Sequence, residues 1–118
     1  MKESESDADP CSILRALRRC EAFDKLDDQA LARVCEICVE RKASAGEDFF
    51  AVGEPADFAA VVATGSVAVY LPAEGEELLI LEVFPGGLIG ETEYFEDCVR
   101  VASARAIEDA TIVSIPYG

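Results

Sequence analysis

The chain contains no histidine and no tryptophan, a single methionine, and only 10 basic residues against 24 acidic ones among 118. Each shortage excludes something. Without histidine, the commonest metal ligand and the usual base at neutral pH are missing, so His-ligated metal enzymes and Ser–His or Cys–His nucleophilic catalysis lose support. The net charge of −14 opposes nucleic-acid phosphate and an anionic membrane surface alike. No apolar run reaches membrane-spanning length, and the opening "MKESESDADP" lacks the apolar core of a secretory leader. These absences predict a cytoplasmic, non-enzymatic chain that neither binds nucleic acid by itself nor inserts into a membrane.

Cysteine is present in an odd number, at Cys11, Cys20, Cys35, Cys38 and Cys98. An odd count without a leader argues against a disulfide framework. Cys35 and Cys38 form a C-x-x-C pair, yet with Leu31 and Val34 they follow the i, i+3, i+4, i+7 stripe of one helix face. Cys20 falls on a similar stripe with Ile13 and Leu17. Free cysteine packs as a small hydrophobe, so these residues read as core fillers, with a redox or metal role as the alternative.

Half of the chain is hydrophobic, 51%, enough for one domain with a real core and too short for two. Residues 1 to 8 are mostly Ser, Glu and Asp and read as a disordered acidic tail. Residues 9–118 form the single domain. Asp9-Pro10 is a helix start, a capping residue before a proline at the first helical position, and predicts a helix to about Cys20. A second helix is expected from Asp27 or Asp28 to around Glu40. Beyond that, glycines recur between apolar runs at Phe58 to Ala63, Val67 to Leu71 and Leu78 to Phe84. Val67, Val69 and Leu71 alternate toward one face, and "PAEGEE" reads as a hairpin loop around Gly75. Strands continue through Val101 to Ala106 and Ala110 to Ile115, while Pro55 and Pro85 belong in turns. The pattern predicts a mainly β fold with N-terminal helices, an antiparallel β-sandwich or jelly roll with the helices packed outside.

The segment "GETEYFEDCVRVASARA", from Gly90 to Ala106, carries the chemistry. Gly90 lets the backbone approach a ligand closely. A short helical turn after it would offer N–H donors to an anion. Ionised Glu91 accepts hydrogen bonds only, so in a phosphate site its natural partner is a sugar hydroxyl. Arg100 supplies a permanent charge and a fork of donors. Together these suit a cyclic sugar phosphate. Taken singly, Gly90 is a turn glycine, Glu91 a first-turn acid and Arg100 an edge charge, so the joint spacing carries the reading.

That spacing, Gly-Glu, eight residues, Arg, then "VAS" and "RA", resembles the phosphate-binding cassette of the cyclic nucleotide-binding domain family, found in catabolite-activator-type transcription factors, kinase regulatory subunits and gated channels. Upstream, "AGEDFFAVGEPADFAAVVATGSVAVY" and "LEVFPGGLIGE" resemble the family's ordered turns, so the likeness runs from about Leu14 onward. The resemblance implies a regulatory module that binds a 3′,5′-cyclic nucleotide and uses no further cofactor. Arg100 would pair with an exocyclic phosphate oxygen, backbone N–H groups near Thr92 and Ala102 would complete the anion shell, and Glu91 would take the ribose 2′-hydroxyl. Val69 would line the purine. Val101 stands where some cGMP-preferring members carry a hydroxyl, which implies cAMP over cGMP.

Some oxygen-sensing members hold an iron–sulfur cluster on N-terminal cysteines, which is the redox alternative in its sharpest form. Thr92 and Glu93 depart from the family's usual aliphatic and small residues, and Glu93, Glu96 and Asp97 make the cassette acidic. Members also continue into C-terminal helices that lid the base and mediate dimerisation, whereas this sequence stops at "SIPYG". It therefore reads as a piece of a longer protein, a monomer or weak dimer as given, with an effector domain or protein partner. The alternative is a degenerate fold that binds no nucleotide and serves as a protein-interaction module.

Overall fold

The computed structural model describes residues 10–90 and 99–116. The first helix, α1, spans Pro10–Arg18 and is followed by a single 3-10 turn at Glu21–Phe23. The second, α2, spans Asp28–Ile37 and starts on Asp27, whose carboxylate accepts from the Ala30 N–H at 2.8 Å. That bond satisfies one of the donors a helix N-terminus leaves orphaned.

Eight strands follow among the described residues: β1 Val39–Ala43, β2 Asp48–Phe50, β3 Phe58–Thr64, β4 Val67–Ala73, β5 Glu76–Val83, β6 Leu88–Ile89, β7 Ser103–Ala106 and β8 Ala110–Pro116. They form two four-stranded sheets, ordered β1-β8-β3-β6 and β2-β7-β4-β5. All pairs are antiparallel, with Val61 opposite Val113 in the first sheet and Val67 opposite Val83 in the second. This is the expected β-sandwich.

Burial explains why the central strands read as unbroken apolar runs. In β3, Ala60 and Val62 face the space between the sheets while Val61 faces the helices, and in β8 Ile112 and Val113 divide the same way. A strand covered on both faces needs no polar alternation. The helices bury Ile13, Leu17, Cys20 and Leu31 against Val61 and Val113 on the outside of the first sheet. Fully burying one such leucine is worth about 1.5–3 kcal/mol. Cys35 and Cys38 are half-buried at the rim of that cluster, on the face the periodicity assigned to them.

Gly65 turns β3 into β4 with φ +76°, and a Cβ there would lie 2.4 Å from the Asp109 carbonyl oxygen. Only glycine fits both the conformation and the neighbour. The turn thereby presses against the β7–β8 connection.

Several boundaries differ from the sequence reading. Helix α2 stops at Ile37, not Glu40, because Cys38 turns extended and residues 39–43 pair along β8. Helix α1 ends at Arg18, short of Cys20. The hairpin is tighter than "PAEGEE" suggested: Pro72 and Ala73 pair with Glu77 and Glu76, leaving Glu74 and Gly75 as a two-residue turn with φ of 52° and 84°. Pro72 is tolerated because β7 pairs with β4 only as far as Tyr70, so that β4 there has β5 alone as partner. The strand expected from Val101 begins at Ser103. Pro85 sits in a turn as expected, and Pro55 makes an isolated bridge with Val99. The alternation of Val67, Val69 and Leu71 runs into a register shift between Val69 and Tyr70, where Ile80 is the extra residue on β5. The tail at residues 1 to 8 and the capping Asp9 lie outside the described residues.

Candidate functional site

Arg100 is placed by its backbone. Its N–H donates to the Glu54 carbonyl at 2.8 Å, and its own carbonyl accepts from the Gly53 N–H at 2.9 Å. The Glu54 carboxylate accepts from the Ala51 N–H at 3.2 Å and so closes the same turn. Extended backbone alternates its side chains, and Val99 and Val101 on either side are exposed while Arg100 turns inward, 1% exposed.

Inside, the guanidinium meets aromatic rings and backbone carbonyls. Its carbon lies 3.9 Å from the centroid of Phe50 and 4.9 Å from that of Phe58. Nη1 donates to the Gly90 carbonyl at 3.3 Å, and Nη2 donates to the carbonyl of Phe58. The rings pack edge-to-face with centroids 6.0 Å apart. A face of negative quadrupole and two carbonyl dipoles compensate a positive charge withdrawn from water. Gly90 is required here for two reasons: its φ is +78°, and a Cβ would lie 2.6 Å from Arg100 Nη1.

The predicted residues are partly assembled. Gly90 and Arg100, ten positions apart, are in direct hydrogen-bond contact. Val69 is half-buried against the inter-sheet cluster, opposite Leu81 on β5 and Ala104 on β7. Val101 is 54% exposed and Ala102 half-buried. Glu91 and Thr92 lie outside the described residues, as do Glu93, Glu96, Asp97 and Cys98.

Other residues, placed on strands by the sequence pattern or not singled out by it, also lie around this cluster. Leu71, Leu78 and Leu81 continue the face of Val67 and Val69 beyond the second sheet's core, and Leu78 and Leu81 remain 54% and 48% exposed. Four consecutive apolar residues from Leu78 were a visible hint that β5 has an apolar face in excess of its core. Arg41 on β1 reaches over Phe58, 4.4 Å from its centroid, with Nε donating to Ser114 Oγ at 3.0 Å. Phe58 is thus contacted by two guanidinium groups, one exposed and one buried.

On the outer face of the second sheet, Arg105 donates to both oxygens of Glu77 at 2.9 and 2.8 Å and to Asp48 at 2.7 Å. The hydrogen bonds from Arg105 hold the Glu77 carboxyl below its usual range. This cluster joins β2, β7 and β5 and faces away from Gly90. Among the described residues no group of three or more His, Cys, Asp or Glu is placed to hold a metal ion. No described helix is long and apolar enough to cross a membrane.

Two antiparallel sheets enclosing an apolar core, with a buried arginine at one end beside a glycine-bearing strand end, define a β-sandwich module whose interior ends on a guanidinium. The family model described as the cyclic nucleotide-binding domain matches residues 40–118, and the chain belongs to that family. Among solved structures, the N-terminal domain of a transcriptional regulator from Streptomyces coelicolor A3(2) is 30% identical, with a TM-score of 0.80 over 87% of this chain and 74% of that one. The regulatory domain of Toxoplasma gondii protein kinase A, solved with cAMP, is 22% identical, with a TM-score of 0.83 over 98% of this chain and 44% of that one. The regulatory subunit of a cAMP-independent protein kinase A from Trypanosoma brucei is 18% identical, with a TM-score of 0.84 over 92% of this chain and 40% of that one. The chain therefore spans less than half the length of the two kinase regulatory proteins. No curated protein sequence matches it.

Proposed function

We propose that this domain is a regulatory receptor for a 3′,5′-cyclic nucleotide, with cAMP favoured over cGMP, and that it controls an effector domain or protein partner rather than catalysing a reaction. The observation that carries the reading is the hydrogen bond between Arg100 and Gly90, which brings a guanidinium to the strand end where the cassette begins. Arg100 takes the phosphate, the backbone near Thr92 and Ala102 completes the anion shell, and Glu91 takes the ribose hydroxyl. Val69 lines the base, and the exposed Leu78 and Leu81 extend that apolar side. Val101 has no hydroxyl for a guanine amino group, which supports cAMP. The setting is cytoplasmic, without nucleic-acid or membrane contact by this domain, and the domain as given is a monomer or weak dimer.

A second reading is favoured by the same arginine, because a guanidinium 1% exposed and occupied by backbone carbonyls is not presented to solvent. On that reading the fold is a protein-interaction module that binds no nucleotide. Calorimetry decides between them. Titration with cAMP should give heat, cGMP less, and Arg100→Ala should weaken cAMP by roughly a hundredfold, as expected when two charge-assisted hydrogen bonds are lost. No heat with either nucleotide at millimolar concentration would leave the interaction module as the function.

A further inference from the structure

We infer that Phe50 is a positioning residue for this site: its ring holds the Arg100 guanidinium inside the sandwich, so that a nucleotide phosphate must draw that group off the ring before it can bind. The inference rests on Arg100 being the phosphate ligand. Phe50 ends β2, and its ring is the nearer of two aromatic faces, 3.9 Å from the guanidinium carbon against 4.9 Å for Phe58. The turn that follows Phe50 also fixes the arginine backbone, through Gly53 and Glu54. Ring and arginine are therefore anchored to one frame.

The described contacts hold the guanidinium from its face and from its edge. A desolvated cation over an aromatic face is attracted more strongly than an exposed one, and two of the guanidinium's donors are directed to the Gly90 and Phe58 carbonyls. A phosphate oxygen offers a charge-assisted bond stronger than either carbonyl, so exchange is downhill once the group is released. Until then the competent form is a fraction of the population, and apparent affinity falls by that fraction. The Phe58 carbonyl belongs to the backbone and survives any side-chain change. Among the described residues, the Phe50 ring is the nearer of the two side chains that can be removed from the latch, the Phe58 ring being the farther.

The test uses the free protein and a cAMP titration together. In the wild type, Arg100 should resist phenylglyoxal while the exposed Arg33 reacts, and its guanidinium proton signals should be displaced by the Phe50 ring current until cAMP saturates the site. Phe50→Leu should make Arg100 reactive, abolish the displaced signal and tighten cAMP about fivefold. Phe50→Tyr keeps the aromatic face and should match the wild type in all three measurements, which separates a latch from a packing defect.

Wild-type Arg100 reacting as fast as Arg33 would overturn the inference. So would a Phe50→Leu protein that exposes Arg100 yet binds cAMP no better, or a displaced signal that persists at saturation. If neither protein binds any cyclic nucleotide, the receptor reading fails and takes with it the ligand half of this inference. The phenylglyoxal comparison then still decides whether Phe50 holds Arg100.

Discussion

The two apolar clusters of this domain, one under the helices and one between the sheets, are built from similar residues and finished differently. Under the helices, Ile13, Leu17, Cys20 and Leu31 close over Val61 and Val113 with only apolar or thiol side chains. Between the sheets, Val62, Val67, Ile89 and Ile112 lead to Phe50 and Phe58, and there the packing ends on a buried guanidinium. A closed apolar cluster contributes stability and nothing else, because every contact it makes is already made. The inter-sheet cluster instead ends on a charge held by carbonyl and ring contacts, which the proposed function has a phosphate take over. On the proposed function, stability and recognition would be carried on opposite faces of β3 and β8, whose alternate side chains serve one cluster each.

If that division is real, damage to one cluster should leave the other's property untouched. The largest expected effect is at Leu17, fully buried under the first helix. Leu17→Ala should lower the free energy of unfolding by about 3 kcal/mol, the transfer and cavity loss of a core leucine, as measured by urea denaturation. Nucleotide affinity, measured under conditions where the variant remains folded, should not change. A parallel loss of affinity would mean that the helix-side cluster positions the site and would break the comparison. A smaller effect is expected at Asp27→Ala, which removes the cap bond to Ala30 and should cost about 1 kcal/mol, again with affinity preserved.

The sequence exposed the helix-side cluster more readily than the inter-sheet one, for a physical reason. Ile13, Leu17 and Cys20 lie within one helical stretch, and so do Leu31, Val34, Cys35 and Cys38, so their shared face follows from a local period of 3.6. Strands β3, β4 and β5 were equally legible, as apolar runs between glycines. Strands β1 and β2 were not. Val39–Ala43 is largely exposed and carries Glu40, Arg41 and Lys42, and only pairing with β8 makes it a strand.

At the site, the sequence spacing was enough to single out Gly90 and Arg100, which are ten residues apart and in contact. The inward turn of Arg100 was not legible. It depends on Phe50, fifty positions away, and on the Phe58 carbonyl, and no local pattern joins those three. The run of apolar residues from Leu78 signals an apolar overhang, but which of them share a face with Leu71 was not legible, because the bulge at Ile80 breaks the alternation a strand reading assumes.

The cysteines give the finest test of the comparison, with no effect at neutral pH. The Cys38 thiol donates to the Val34 carbonyl at 3.1 Å. Burial, reinforced by the neighbouring Cys35, pushes its pKa from an ordinary 9.0 up to about 12, and burial raises Cys35 as well. At neutral pH, well below 9, both thiols stay protonated, folded or unfolded, and their ionisation contributes no pH dependence. Between about 9 and 12 the unfolded chain releases the Cys38 proton while the native state retains it, so stability falls as pH rises through that window. The melting temperature should therefore drop over this range, and less steeply in Cys38→Ala, where lysine and tyrosine titration remains but this thiol does not. Alkylation supplies the complementary readout, since the thiolate is the nucleophile. At neutral pH iodoacetamide should modify Cys38 far more slowly than a model thiol. Rapid modification would show that the C-x-x-C pair is a reactive site and that the helix-side cluster is not closed after all.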